Sequence, residues 1–224
     1  MSDKDERKTL QFSDGGGGGG GDQPDWLMEQ RPETIRQALG RQGKSMGIAK
    51  AAEANPYYSE DYNSYSENCQ RCIVAYEERR RGYDVIAQPT YKNDKWSTGG
   101  QNRDRWRGAF RHAKTDSVGA SNPDKALQNI QNKMREYGNG ARAVIGVSWK
   151  KGHSGHVFIC ENQDGRIVFI EPQRTTWKKS HRYTMKDMKS MFRHTNTSQT
   201  ELTRVDNLQT SYRVKEFVEQ RKRR

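Results

Sequence analysis

The sequence predicts an α+β fold in which a cysteine-bearing helix packs on a small antiparallel sheet carrying a histidine and an acid. Three observations predict it. Cys69 to Arg81 contains no Gly or Pro and stops at Gly82, as a helix does. Ser121-Asn122-Pro123-Asp124 is a helix start with proline in the first turn, and Leu127, Ile130 and Met134 follow at helical spacing as a core face. Gly155 to Gln173 holds two apolar runs joined by Asn162-Gln163-Asp164-Gly165, and Asp-Gly between such runs signals a hairpin.

The remaining elements follow in chain order. Of the 224 residues 31% are hydrophobic and 30% charged, and the apolar runs concentrate after residue 68. We therefore expect a flexible N-terminal segment over 1–54, one compact domain over 55–218 and a basic tail over 219–224. Gly15 to Gly21 is an unbroken glycine spacer ahead of Pro24-Asp25-Trp26-Leu27. Pro32 to Ala52 is interrupted by Gly40, Gly43 and Gly47, so its helix is marginal. Tyr57 to Glu67 reads as an ordered loop, and Asp84 to Ala87 as a short apolar stretch closed by Pro89. Lys92–Arg107 is polar, with Trp96 and Trp106 as anchors. Ala141 to Trp149 and Glu201 to Leu208 read as strands, and Val214 to Arg224 as a helix ending in basic residues.

Composition narrows the function classes. The net charge of +12 makes acidic partners reasonable, including sequence-independent contact with nucleic acid. No stretch approaches the run of about 18 apolar residues that a membrane helix needs, so no membrane partner is expected. The charged N-terminus, with no apolar run after it, does not read as a signal peptide. Three cysteines at unequal spacing argue against a disulfide scaffold and for a reducing, cytoplasmic setting.

Chemistry concentrates at two places. Cys69 follows Asn68, a good N-cap type, and a helix N-terminus lowers a thiol pKa through its dipole and free N–H groups. Cys72, one turn further in, is the alternative nucleophile, and both could equally be small core residues. In the hairpin a two-residue loop pairs His156 across from Gln173 or from Glu171, according to which residues form the tip. Either register puts His156, Glu171, Gln173, Phe158, Cys160, Ile167 and Phe169 on one face, with Val157, Ile159, Val168 and Ile170 on the other. A three-residue loop would separate the histidine from both partners. A carboxylate or amide on the neighbouring strand can fix the histidine tautomer, whether for catalysis or in a satisfied core histidine. The Cys69 N–H is a natural oxyanion donor and Asn68 a second candidate. A competing arrangement is zinc held by Cys69-x-x-Cys72 and His153-x-x-His156, although His153 reads as part of an exposed turn; we expect no cofactor. His112, His181 and His194 show no role.

The segments Asn68-Cys69-Gln70-Arg71-Cys72, Ala75-Tyr76-Glu77 and Arg79 to Val85 resemble the opening of the papain-fold toxin domains of the glutamine deamidase type. Gly155-His156-Val157-Phe158 and Phe169-Ile170-Glu171-Pro172-Gln173 are similar to that family's second and third signatures, and the resemblance covers roughly Asn55 to Val218. Such domains occur in polymorphic bacterial toxins and at the end of some phage head-morphogenesis proteins. The resemblance implies a papain-like cysteine hydrolase with a Cys–His–Asp triad, carried here by Cys69, His156 and position 171. The family usually has aspartate where this chain has Glu171, and Gln173 could take the orienting role instead. The implied reaction is deamidation of a glutamine side chain, cleavage of a peptide bond, or transglutamination, on a protein substrate. An immunity protein, virion proteins and delivery to a target cell are the implied associations. The contrasting expectation is an inactive virion protein that binds nucleic acid through its basic surface.

Overall fold

In the computed structural model, which describes residues 32–59, 64–91, 104–151, 154–173 and 181–222, one antiparallel sheet divides two apolar layers. The elements run α1 (Pro32–Leu39), α2 (Ile48–Ala52), α3 (Cys69–Arg80), β1 (Val85–Ala87), β2 (Asp116–Ser117), α4 (Pro123–Tyr137), β3 (Arg142–Ser148), β4 (Gly155–Gln163), β5 (Arg166–Ile170), β6 (Arg182–Tyr183), α5 (Met185–Arg193), β7 (Glu201–Arg204) and β8 (Val218–Gln220). The main sheet has the order β2-β7-β3-β4-β5-β6, and β1 pairs separately with β8. The fold class is α+β, as the sequence predicts. Among the described residues no helix is long and apolar enough to cross a membrane.

The hairpin forms with Gln163 paired to Arg166, so Asp164-Gly165 is its two-residue tip. Asp164 at φ 52° and Gly165 at φ 85° take the left-handed conformations of the turn that matches strand twist. Alternation then sorts the side chains. Val157, Ile159, Val168 and Ile170 meet Cys72, Ile73 and Tyr76 of α3 in the first core. Phe158, Cys160 and Phe169 meet Leu127, Ile130 and Met134 of α4, with Met188 and Phe192 of α5, in the second.

Helix α3 ends as predicted: Gly82 has φ +101°, and the Tyr83 and Gly82 N–H groups bond the Glu78 and Arg79 carbonyls. Its inner half is tied to the sheet by buried charge. Arg142 Nε donates to Glu77 Oε2 at 2.7 Å, and Glu161 accepts from Arg80 Nε at 2.8 Å and Tyr76 Oη at 2.7 Å. These contacts clamp the C-terminal turns of α3 over β3 and β4, which sets where its first turn points. Helix α4 begins as predicted, with Asn122 Oδ1 accepting from the Lys125 N–H at 2.9 Å and Pro123 in the first turn.

Both ends of the packed unit differ from the sequence expectation. The boundary at residue 55 falls inside the first core, because Leu39, Ile48, Ala51, Ala52 and Ala54 are buried in it. What reads as one marginal helix in a flexible segment is two short helices. The buried Arg79 guanidinium supplies donors to the Lys50 and Ala51 carbonyls at the end of α2. Over the described residues Val214 to Lys222 the expected helix is absent: a 3-10 turn over Tyr212–Glu216 leads into β8, which satisfies the edge of β1 in the register Val85 to Gln220. The expected tail over 219–224 therefore starts as strand, and Arg221 N still bonds the Asp84 carbonyl at 2.9 Å. Helix α5 is an element the sequence reading missed; its signal was the capping box of Thr184 and Asp187. The glycine spacer, Pro24 to Leu27, Trp96 and His153 lie outside the described residues.

Candidate active site

The start of α3 is built by Asn68, which is buried. Its carbonyl accepts from the Arg71 and Cys72 N–H groups at 3.1 and 3.0 Å, the first bonds of the helix. Its side chain does not cap the helix. Nδ2 donates to the Gln88 carbonyl at 2.8 Å, and Oδ1 accepts from Thr90 Oγ1 at 2.7 Å. The Asn68 N–H donates to Gln173 Oε1 at 3.2 Å. Its main-chain N–H and one side-chain N–H are thus committed to bracing the chain before α3, which disfavours Asn68 as the second oxyanion donor that the sequence suggested.

Gln173 is corrected by the same bonds. Its Nε2 donates to the Ser66 carbonyl at 2.8 Å, and its own carbonyl accepts from Asn55 Nδ2 at 2.9 Å. The amide is spent bracing the segment that precedes Cys69 and does not orient His156.

Glu171 does meet the histidine. One oxygen, Oε1, accepts from the Gln173 N–H at 3.0 Å. The other, Oε2, lies 2.7 Å from His156 Nε2 and accepts from Tyr183 Oη at 2.5 Å. Burial alone would raise this carboxyl, but the His156 charge, followed by the bonds from His156, Tyr183 and Gln173, holds it below the usual carboxylate value.

The His156 ring is stacked between Trp149, at 6.3 Å and 15°, and Phe158, at 5.8 Å and 21°. Burial pushes its pKa down, yet the Glu171 charge and then the bonds to Cys69 and Glu171 outweigh burial and raise it to about 10. Cys69 is half-buried, and its thiol is among the groups that raise the pKa of this ring. Since Nε2 faces the carboxylate, Nδ1 is the nitrogen left for the sulfur. The site forms where α3, packed in the first core, brings its first residue to a histidine whose neighbours belong to the second.

Cys72 is the wrong thiol for this chemistry: it is fully buried, and burial, with the nearby Cys69 and Glu171 charges, pushes its pKa well above its ordinary value. Cys160 is buried likewise, its sulfur against the Ala143 carbonyl at 3.6 Å. The zinc arrangement would need Cys72 turned out of the core, and His153 lies outside the described residues. Among those residues no group of three or more His, Cys, Asp or Glu is set to hold a metal ion.

A cleft of about 440 Å³ opens beside the ring, walled by Trp149, His156, Tyr183, Asp187, Ser190 and Met191. Of these the sequence singles out only His156. Trp149 ends a predicted strand with nothing local to mark it, and Tyr183 sits in a two-residue strand too short to show periodicity. The His181 carbonyl accepts from the Glu171 N–H at 2.8 Å.

A family model described as papain fold toxin 1, glutamine deamidase, matches residues 67–176, a stretch that includes Cys69, His156, Glu171 and Gln173. No curated protein and no solved structure matches the chain.

Proposed function

We propose, from the match of residues 67–176 to the papain-fold toxin family of the glutamine deamidase type, that the chain is a cysteine-dependent deamidase of glutamine side chains in a protein substrate. Cys69 is the nucleophile, His156 the acid–base group and Glu171 the group that orients it. The observation that supports this reading is one ring acted on by two groups: Glu171 Oε2 lies 2.7 Å from His156 Nε2, and the Cys69 thiol at the start of α3 also raises the pKa of that imidazole.

The chemistry follows from those contacts. The Cys69 thiol gives its proton to His156 Nδ1, and the resulting imidazolium is held by the Glu171 carboxylate. The sulfur attacks the carboxamide carbon, and the oxygen that gains charge is met by the Cys69 N–H at the start of α3, where the helix dipole favours negative charge. Collapse of the tetrahedral adduct breaks the C–N bond while His156 protonates the departing nitrogen, so ammonia leaves and a thioester remains. The neutral imidazole then takes a proton from water, hydroxide adds to the thioester carbon, and the C–S bond breaks. Glutamate is released, and the thiolate regains its proton from the ring. The family match favours the side-chain amide over the peptide bond as the group attacked.

The test is ammonia release from glutamine-containing proteins, with conversion of glutamine to glutamate read by mass spectrometry. Cys69→Ala is expected to abolish turnover and Cys72→Ala to retain it. The reverse pattern would overturn the choice of nucleophile, and peptide cleavage without ammonia release would overturn the reaction.

A further inference from the structure

We propose that Tyr183 is a positioning residue of this site, its hydroxyl holding the Glu171 carboxylate where Oε2 can meet His156 Nε2. The inference rests on the Cys69–His156–Glu171 reading and deepens it. Tyr183 lies beyond the matched stretch 67–176.

A glutamate has one more rotatable bond than an aspartate, so its carboxylate needs more contacts to stay in one position. The structure provides them from two directions. The Gln173 N–H takes Oε1, while Tyr183 Oη and His156 Nε2 share Oε2. Two side-chain donors on one oxygen restrict it in a plane as well as along a line.

Tyr183 is itself held. It pairs with Phe169 across β5 and β6, and the same ladder is extended by the Glu171 N–H bonded to the His181 carbonyl at 2.8 Å. Its ring meets Phe158 edge-on at 5.8 Å and 85°, and Phe158 stacks on His156. One aromatic residue thus supports both the histidine and the tyrosine that reach Glu171. A phenol is neutral at ordinary pH, so it donates to the carboxylate without competing with His156 for its charge. Among the described residues, the titratable groups that face His156 include Glu171 and Cys69, Tyr183 through Glu171, and Asp187 of α5 across the cleft.

The experiment is alkylation of Cys69 by iodoacetamide, followed by mass spectrometry as a function of pH, on the full chain as wild type, Tyr183→Phe, Glu171→Ala and the double variant. Tyr183→Phe is expected to slow alkylation at neutral pH about tenfold, the scale of one lost hydrogen bond to a charged acceptor. In the Glu171→Ala background the same change should do nothing further, since its target is gone. Should Glu171→Ala not fold, Glu171→Gln serves instead, and the effect should shrink to about twofold because a neutral acceptor has replaced a charged one. An unchanged rate in Tyr183→Phe, or an equal loss in both backgrounds, overturns the positioning role. A wild-type rate no faster than that of His156→Ala overturns the proposed function as well, and so is distinguishable from failure of Tyr183 alone.

Discussion

Replacing Glu171 with Gln keeps the side chain's shape and removes its charge, which isolates what the carboxylate does to His156. In the native protein burial pulls the ring below its ordinary value of 6.5, and the Glu171 charge, with the bonds to Cys69 and Glu171, lifts it to about 10. Without that charge the largest of the influences that raise the ring is gone, and the imidazole should titrate well below about 10. At about 1.4 kcal/mol per pH unit, the interval from the ordinary value of 6.5 to about 10 is worth about 5 kcal/mol. The folded value lies above the unfolded one. This stabilisation is therefore complete below about pH 6.5, about 4 kcal/mol at pH 7, and lost as the pH rises through about 10. At the acid end the pair dissolves as the pH falls through the depressed pKa of Glu171. Urea unfolding of wild type and Glu171→Gln across this range, with imidazole resonances followed by NMR, measures both quantities. The stability gap should be largest near pH 6 and close toward pH 10. A gap that stays constant or widens with rising pH, or a His156 titration unmoved by the substitution, would refute the coupling.

Two further outcomes follow from the packing around the site. A Cβ at Gly155 would stand 2.3 Å from the Val147 carbonyl oxygen, so Gly155→Ala must push β4 off β3 at the residue before His156. It should cost about 2–4 kcal/mol in urea unfolding and depress turnover, and a variant of native stability would show that β3 yields freely there. Gln173→Ala removes the acceptor of the Asn68 N–H and the donor to the Ser66 carbonyl. We expect a loss of about 2 kcal/mol and slower Cys69 alkylation, with the His156 titration unmoved. A large shift in that titration would mean that Gln173 orients the ring after all.

How far the sequence could be read depended on how local each signal was. Asp164-Gly165 specified a two-residue turn, and a turn of that length forces His156, Glu171 and Gln173 onto one face whichever residues form its tip. It could not say which partner the ring would take. That depended on where the chain goes after β5, where the Gln173 amide found the backbone of Ser66 and Asn68 more than a hundred residues away. The N-terminal helices were illegible for a related reason. Propensity between the glycines is poor, and α2 is held by the guanidinium of Arg79 and by the apolar surface of α3, neither visible in the local sequence. Residues 218–220 read as helix because their own pattern is weak, and only the open edge of β1 makes them a strand.

From the sequence alone came the α+β class, the helix beginning at Cys69, the hairpin with its two faces, and the family signatures that residues 67–176 carry. Only the tertiary structure decided that Glu171 and not Gln173 reaches the ring, that the Asn68 N–H is taken by Gln173, that Cys72 faces inward, and that Tyr183 arrives at the carboxylate from β6. Periodicity and turn chemistry are properties of neighbouring residues, so they are written along the chain. The partner of a buried polar group is chosen among whatever atoms the fold brings within about 3 Å, and that choice is made in space.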